Sequence, residues 1–439
     1  MPDEVGPGRG PERGPSAANP GRRQFFRSFS RDAIQAAGQV VGAASALQRA
    51  TGAAAGELLG LTAQPNAPPV EGGTPIPSPY RLDGQSLLVL DQRRYPHAFV
   101  ELACRTAPEV VALLEQRRVQ GSLTAAQVAA YGTWLAALAA RHLTPFARRA
   151  VIRGHARAIA AACPNVAPVS WAIGQALAAE SAAFDADRDG PGTALAIREA
   201  ADAVAARLTR DVAQMVRSAA ESLAQPSGRP LGLLLLDSTG SLAAPSPGTA
   251  LGVATTIARQ GRAVRAWVLE TRPYLSGARL AARELASAGV SATVLLDSAA
   301  GWLLAREPVD AVLVGADRIA ADGATTAVIG TVGLAQLARD AGVPFWVVAP
   351  LAAVDLSVTG AAGSSVAEGS YAAVAPEAST VADGDWLASA QGPLQDVTPP
   401  ELVDAIVTEV GVLRPEYAPA LASSLAVPPA GALEVDRPE

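Results

Sequence analysis

The chain contains no lysine at all; its basic residues are arginines. Without an ε-amino group there is no Schiff-base chemistry and no lysine to reach the phosphates of a nucleotide. Cysteine is almost as scarce, with 2 in 439 residues, Cys104 and Cys163. They make no CxxC pair and cannot build the disulfide framework of a small secreted domain. The 3 histidines, His97, His142 and His155, are scattered without metal-ligand spacing and read as ordinary surface or half-buried side chains. Neither a metal nor a cofactor is expected. No apolar run reaches the ~18 residues that a bilayer span requires, so no transmembrane segment is expected and a cytoplasmic location is. The formal charge of −6 argues against a nucleic-acid partner, whose phosphates favour a basic face.

What remains is a chain with 49% hydrophobic residues, long enough for two domains and a tail. Residues 1–22 are Gly, Pro, Arg and Glu and read as a disordered leader. Between 24 and 60, Phe26, Phe29, Ala33, Ala37, Val40, Ala44 and Leu47 recur at helical spacing and predict an amphipathic helix. Arg22-Arg23-Gln24-Phe25-Phe26 resembles a twin-arginine export signal, but Arg31 and Asp32 interrupt the apolar stretch and Gln35, Gln39 and Gln48 dilute it. A helix that docks a partner is the better reading. A proline-rich linker over 65–79 closes this first region, 1–80.

The expected fold class is α/β: an N-terminal, mainly helical domain (81–228) carrying a small β hairpin, then a Rossmann-like, doubly wound parallel sheet domain (229–417). The turn signal Asp83-Gly84 precedes two short strands, Ser86 to Asp91 and Ala98 to Ala103. From Ala107 to about Gln225 the pattern is helical. From Leu231 on, apolar runs alternate with helical patterns. The runs are Leu231 to Leu236, Ala263 to Leu269, Ala292 to Leu296, Ala311 to Val314 and Phe345 to Val348, with helices over 248–260, 275–288 and 328–341. Consecutive βα units favour a doubly wound sheet with right-handed crossovers. Residues 351–395 read as irregular, Thr398 as the cap of a helix entered through Pro399-Pro400, and 418–439 as a frayed tail.

The central unit runs from Val309 to Pro350. It delivers Asp317 just past the end of an apolar strand, where parallel sheets carry their chemistry. Here GADRI (315–319) joins ETRP and GARL (270–280), TG (239–240) with GTALG (248–252), and DVTPPELVDAIVTEVGV (396–412). These ordered blocks, over roughly residues 80–417, resemble the methylthioribose-1-phosphate isomerase family. That family shares its fold with the regulatory subunits of the eukaryotic translation-initiation exchange factor.

The resemblance implies a site. In those isomerases a cysteine and an aspartate flank the reacting carbons of an aldose 1-phosphate. The aspartate falls on Asp317, the cysteine on Asp237 and the following asparagine on Ser238, before Thr239-Gly240. A phosphate-binding Arg-Gly-Ala loop falls on Gln120-Gly121-Ser122. A second arginine falls on Cys163, a glutamine on Ser276, and an Asn-Lys pair on Ala327-Val328. Asp237 and Asp317 are therefore the candidate catalytic pair, and Gln120, Gly121, Ser122, Cys163, Ser238, Thr239, Gly240, Ser276, Ala327 and Val328 the candidate substrate-binding set. Close carboxylates can drive aldose–ketose isomerisation by pushing one pKa upward. A dianionic ligand, however, would face both with little to offset them.

Remaining cations are Arg117, Arg118, Arg272, Arg279 and Arg318. Arg272 and Arg318 are expected to pair with Glu270 or Asp297 rather than with substrate. Backbone N–H groups at Gly240, Gly248 and Thr249 could still bind an anion at a helix start. Two functions stay open: an isomerase acting on a less anionic sugar-derived ligand, or a non-catalytic regulatory or binding subunit. The resemblance implies a homodimer in either case.

Overall fold

The computed structural model describes residues 75–224, 226–360, 368–370 and 391–426. The expected leader, the 24–60 helix and most of the proline-rich linker lie outside these residues. The described part belongs to one compact unit, Pro68–Glu439.

The chain enters through a three-stranded antiparallel sheet, β1 (Tyr80–Asp83), β2 (Ser86–Leu90) and β3 (Glu101–Cys104). Asp83 and Ser86 face each other across the turn, where Gly84 takes φ +58°, a conformation glycine adopts without a Cβ clash. The sequence shows the turn but not the strand before it: Tyr80–Asp83 lies against a proline-rich approach that hides the pattern.

Five helices follow: α1 (Ala107–Glu115), α2 (Ser122–Ala140), α3 (Pro145–Ala162), α4 (Ala167–Asp185) and α5 (Gly190–Ser222). All but α2 carry proline in their first turn, where its missing N–H costs nothing. α2 instead starts after Gly121 and is apolar nearly all round. Contrary to the expectation that no apolar run reaches the length of a bilayer span, it is long and apolar enough to cross a membrane by composition, yet 89% of its apolar window is buried. It is the core helix against which α3, α4 and α5 pack.

The second part holds β4 (Leu231–Leu235), α6 (Ala250–Arg259), β5 (Val264–Leu269), α7 (Ala282–Ser287), β6 (Ser291–Leu295), α8 (Ala300–Leu304) and β7 (Ala311–Val314). Then come β8 (Arg318–Ala320), β9 (Thr325–Val328), α9 (Thr331–Asp340), β10 (Phe345–Val348) and β11 (Val354–Asp355). The remaining elements are β12 (Glu368–Ser370), β13 (Gln391–Pro393), β14 (Gln395–Thr398), β15 (Ala405–Thr408), β16 (Gly411–Leu413) and α10 (Tyr417–Ala426). The main sheet has 7 strands in the order β16-β15-β10-β7-β4-β5-β6. Every pair in it is parallel except the edge pair β15–β16. The interior strand β4 is buried throughout, Leu233 and Leu235 joining the core under α5 and α6, and Leu234 the core under α8 and α9. A strand covered on both faces reads as an unbroken apolar run, which is why it was visible in sequence.

Four expectations about the course of the chain are corrected. The helix expected after Thr398 is a single turn at Pro400–Leu402. The chain then enters β15, because Ala405, Ile406 and Val407 pair with β10 and extend the buried sheet. Glu401 and the prolines gave a real start signal, and the sheet won. Thr325–Val328, where no strand was expected and Val328 was to open a helix, is a strand of a side sheet β11-β8-β9-β14. That sheet, with β12 and β13, also gives structure to part of the stretch expected to be irregular. Finally, the tail is not frayed before residue 427: α10 docks through buried Tyr417 and Leu421, and the Tyr417 hydroxyl donates to the Val403 carbonyl at 2.7 Å.

Candidate active site

β4 is flanked by β5 on one side and β7 on the other, so the winding direction reverses between β4 and β7. Ligands of open α/β sheets bind in the crevice outside such a reversal. Asp237 and Asp317 are the residues that follow these two strands, and both line the same two adjoining cavities, of about 110 Å³ and about 50 Å³. The first turn of α2 and its preceding loop roof them with Gln120, Gly121 and Ser122, and Cys163 stands at the end of α3. Ser276 and Val328 complete the larger cavity; Ser238, Thr239 and Ala327 line the smaller. The sequence-derived candidates thus converge, with one exception. Gly240 lines neither cavity: a Cβ there would lie 2.3 Å from Glu284 Oε2, so it is a packing position.

The helical part is tied to the strand ends by hydrogen bonds. Ser122 Oγ donates to the Ala316 carbonyl at 3.1 Å, and the Ala167 N–H to the Asp317 carbonyl at 2.9 Å. Thr124 donates from both its N–H and its hydroxyl to the Ala243 and Leu242 carbonyls, each at 3.0 Å. Gly121 approaches Ala243 so closely, at φ +88°, that no side chain fits. On the far side, Glu284 accepts from the Ser241 N–H and hydroxyl, both at 2.6 Å, and so fixes the loop after Asp237.

Each carboxylate has its own holder. Asp237 adopts φ +68°, receives a short hydrogen bond from Ser276 Oγ, and donates its N–H to Thr271 Oγ1 at 2.9 Å. Burial pushes its carboxyl up to about 6, helped by the neighbouring charge of Asp317 and opposed by Ser276, Ser238 and Arg117. Asp317 accepts from Gln395 Nε2 at 2.6 Å; burial raises its carboxyl too, while Gln395 and Arg117 pull it back. Backbone strain gathers here. Asp237, Thr271 and Arg117 line the cavities at φ +68°, +60° and +49°, and positive φ is a genuine outlier for a β-branched threonine. Asp297 holds that turn by accepting the N–H groups of Thr271 and Arg272 at 2.8 and 2.7 Å.

The five cations separate. Arg118 pairs with Asp91 and Arg279 donates to the Tyr274, Gln92, Arg93 and Tyr95 carbonyls. Arg318 pairs with Asp355 at 3.5 Å, not with the expected Glu270 or Asp297. Arg272 uses its backbone, not its guanidinium, on Asp297. Only Arg117 and Arg272 line the larger cavity, and neither has an ion pair among the described residues. The Cys163 thiol is pushed up to about 12 by burial and is neutral. The anion site envisaged at the start of α6 is spent on protein: the Thr249 N–H donates to the Thr239 carbonyl at 2.7 Å and Leu251 N–H to Thr239 Oγ1 at 3.0 Å. Asp396 likewise caps α9, accepting from Gly330 N–H at 2.7 Å. Sequence reasoning missed Gln395 and Thr271; for Thr271 its place in the ETRP block was a signal, for Gln395 there was none.

A carboxylate pair at the winding reversal of a mostly parallel sheet, roofed by a helical cap, is the arrangement of a small-molecule site in an α/β fold. The profile of the initiation factor 2 subunit family matches residues 118–415. A methylthioribose-1-phosphate isomerase of Chloroflexus aurantiacus is 35% identical over 340 residues, covering 77% of this chain and 96% of that protein. One from Desulforudis audaxviator is 34% identical over 356 residues, covering 79% and 97%. Among solved structures, a 5-methylthioribose 1-phosphate isomerase from Pyrococcus horikoshii superposes with a TM-score of 0.68 at 26% identity, covering 83% of this chain and 100% of that one. The delta subunit of translation initiation factor eIF-2B from A. fulgidus gives 0.63 at 27%, covering 79% and 99%. The chain belongs to the initiation factor 2 subunit family, which includes the methylthioribose-1-phosphate isomerases.

Proposed function

We propose that this chain is an intramolecular aldose–ketose isomerase of a sugar derivative, with Asp237 and Asp317 as its acid/base pair. One observation carries the reading: two carboxylates on adjacent strand ends line one shielded cavity, and Asp237 is pushed up to about 6. Moving hydrogen between C1 and C2 requires one group to take a proton from carbon and another to return a proton to the neighbouring carbon. With the ring opened to the aldehyde, the C2–H and O2–H bonds break while C1–H and O1–H bonds form, so the proton count is unchanged and no co-reactant is needed. A carboxyl titrating near neutrality can hold the proton between the two events. Ser276 and Gln395 orient the two carboxyls, and the helical roof excludes water.

A non-catalytic regulatory subunit is the second reading. It is favoured by Gln120 and the neutral Cys163 standing where the resemblance expects guanidinium groups. A proton NMR time course with methylthioribose-1-phosphate and with unphosphorylated methylthioribose separates the two. New ketose signals that vanish in Asp317→Asn support the isomerase; unchanged spectra with both sugars leave the regulatory reading. A cytoplasmic homodimer follows from the same resemblance, and sedimentation of the purified chain at monomer mass would remove the dimer.

A further inference from the structure

Three polar atoms buried in the cavity walls have no hydrogen-bond partner among the described residues: Gln120 Nε2, Gln395 Oε1 and Ser238 Oγ. Gln395 and Ser238 are each 2% exposed. A buried polar atom left unpaired costs free energy, and such atoms are rare enough that a cluster of them needs a reason.

Their chemistry is specific. Gln395 opens β14 opposite Val328 of β9, which aims its side chain at Asp317. An ionised carboxylate only accepts hydrogen bonds, so the amide turns its nitrogen to Asp317 at 2.6 Å and leaves its oxygen as a buried acceptor. Gln120 is fixed from its backbone, whose N–H donates to Gln92 Oε1 at 3.1 Å, and its Nε2 remains as a donor. Ser238 offers a hydroxyl that serves either way. The walls thus present an acceptor, a donor and a hydroxyl beside two carboxylates. A phosphate dianion brings acceptors only, cannot satisfy Gln395 Oε1, and meets both Asp237 and Asp317. Arg117 and Arg272 are two cations against two carboxylates, which leaves no net positive charge in the walls for a dianion. Sugar hydroxyls donate and accept, and satisfy all three atoms without a charge penalty.

We propose that Gln395 and Gln120 are hydroxyl-reading residues, and that the ligand of this cavity is a neutral, unphosphorylated aldose with a hydroxyl on Gln395 Oε1 beside Asp317. The proposal deepens the isomerase reading of the same site, but its evidence is binding and not turnover.

The test is calorimetric titration of the full chain with methylthioribose and with methylthioribose-1-phosphate. The free sugar is expected to bind at least tenfold more tightly than its phosphate. Gln395→Met and Gln120→Met, similar in length and without polar ends, are each expected to weaken the free sugar at least tenfold, Gln120→Met at an unchanged melting temperature and Gln395→Met, which also removes the donor to Asp317, at a lowered one. If Gln395→Met does not fold, Gln120→Met, on a loop, carries the same readout. Equal or tighter binding of the phosphate, binding of neither sugar, or full-strength binding by both variants overturns the proposal. Binding of the free sugar without ketose formation refutes the isomerase and leaves the hydroxyl readers standing. Turnover of the phosphate untouched by either variant does the reverse.

Discussion

The backbone N–H of Ala167 donates to the carbonyl of Asp317 at 2.9 Å. The first turn of α4 is therefore anchored on a residue just past the end of β7. Together with the Ser122 bond to Ala316, it ties the helical part to the candidate acid/base group.

Asp237 links the site to stability. Its carboxyl titrates near 6 when folded, against about 3.9 in an unfolded chain. The folded chain binds more protons in that window, so stability falls as pH rises from about 4 to about 6. Asp237→Asn keeps an acceptor for Ser276 and removes the charge. It is expected to be more stable than the parent above pH 7, by about 2 kcal/mol after discounting partial exposure, with the gap closing by pH 4. Urea titrations across pH measure it; a constant gap would contradict the assignment.

Gly121→Ala should damage fold and site together. A Cβ would lie 2.3 Å from Ala243 Cβ and 2.5 Å from its carbonyl oxygen, at φ +88°. A loss of about 3 kcal/mol or more is expected, with ligand affinity falling even where the variant remains folded. Chemical denaturation and a sugar titration read the two effects.

Glu284 is the brace behind the loop that follows Asp237. Glu284→Ala strips acceptors from the Ser241 N–H and hydroxyl and should cost about 3 kcal/mol. Glu284→Gln, which keeps one acceptor, should cost less than half as much. Equal losses would mean that volume, not hydrogen bonding, is what matters there.

Tyr417 tests the C-terminal helix. Tyr417 is 2% exposed and packs on Gly323, where a Cβ would lie 2.5 Å from the ring. Tyr417→Ala should lose about 3–5 kcal/mol; Tyr417→Phe, which loses only the bond to Val403, about 1 kcal/mol. A frayed tail would show neither loss.

The parallel strands were legible because burial on both faces writes an uninterrupted apolar run, as in Leu231 to Leu236. The aspartates were legible because short connections place them at strand ends. What was hidden depended on partners far away in sequence. Ala405–Thr408 becomes a strand only because β10 offers an edge, and its helix-start signal cannot report that. Gln395 matters through a contact with Asp317, 78 residues earlier, and no local pattern marks it. Gly240 looked like a ligand position because of its motif, and is a packing one because of Glu284.

α2 is buried on nearly every side while its first residues roof the cavity. Such a helix is a fixed rod: a substitution along it disturbs the core before it adjusts the ligand. New specificity can therefore arise more readily in the cavity-lining residues that stand off this helix, Gln120, Cys163, Ser276 and Gln395. Evolution can exchange those residues singly, and the molecule can change what it binds without first losing its shape.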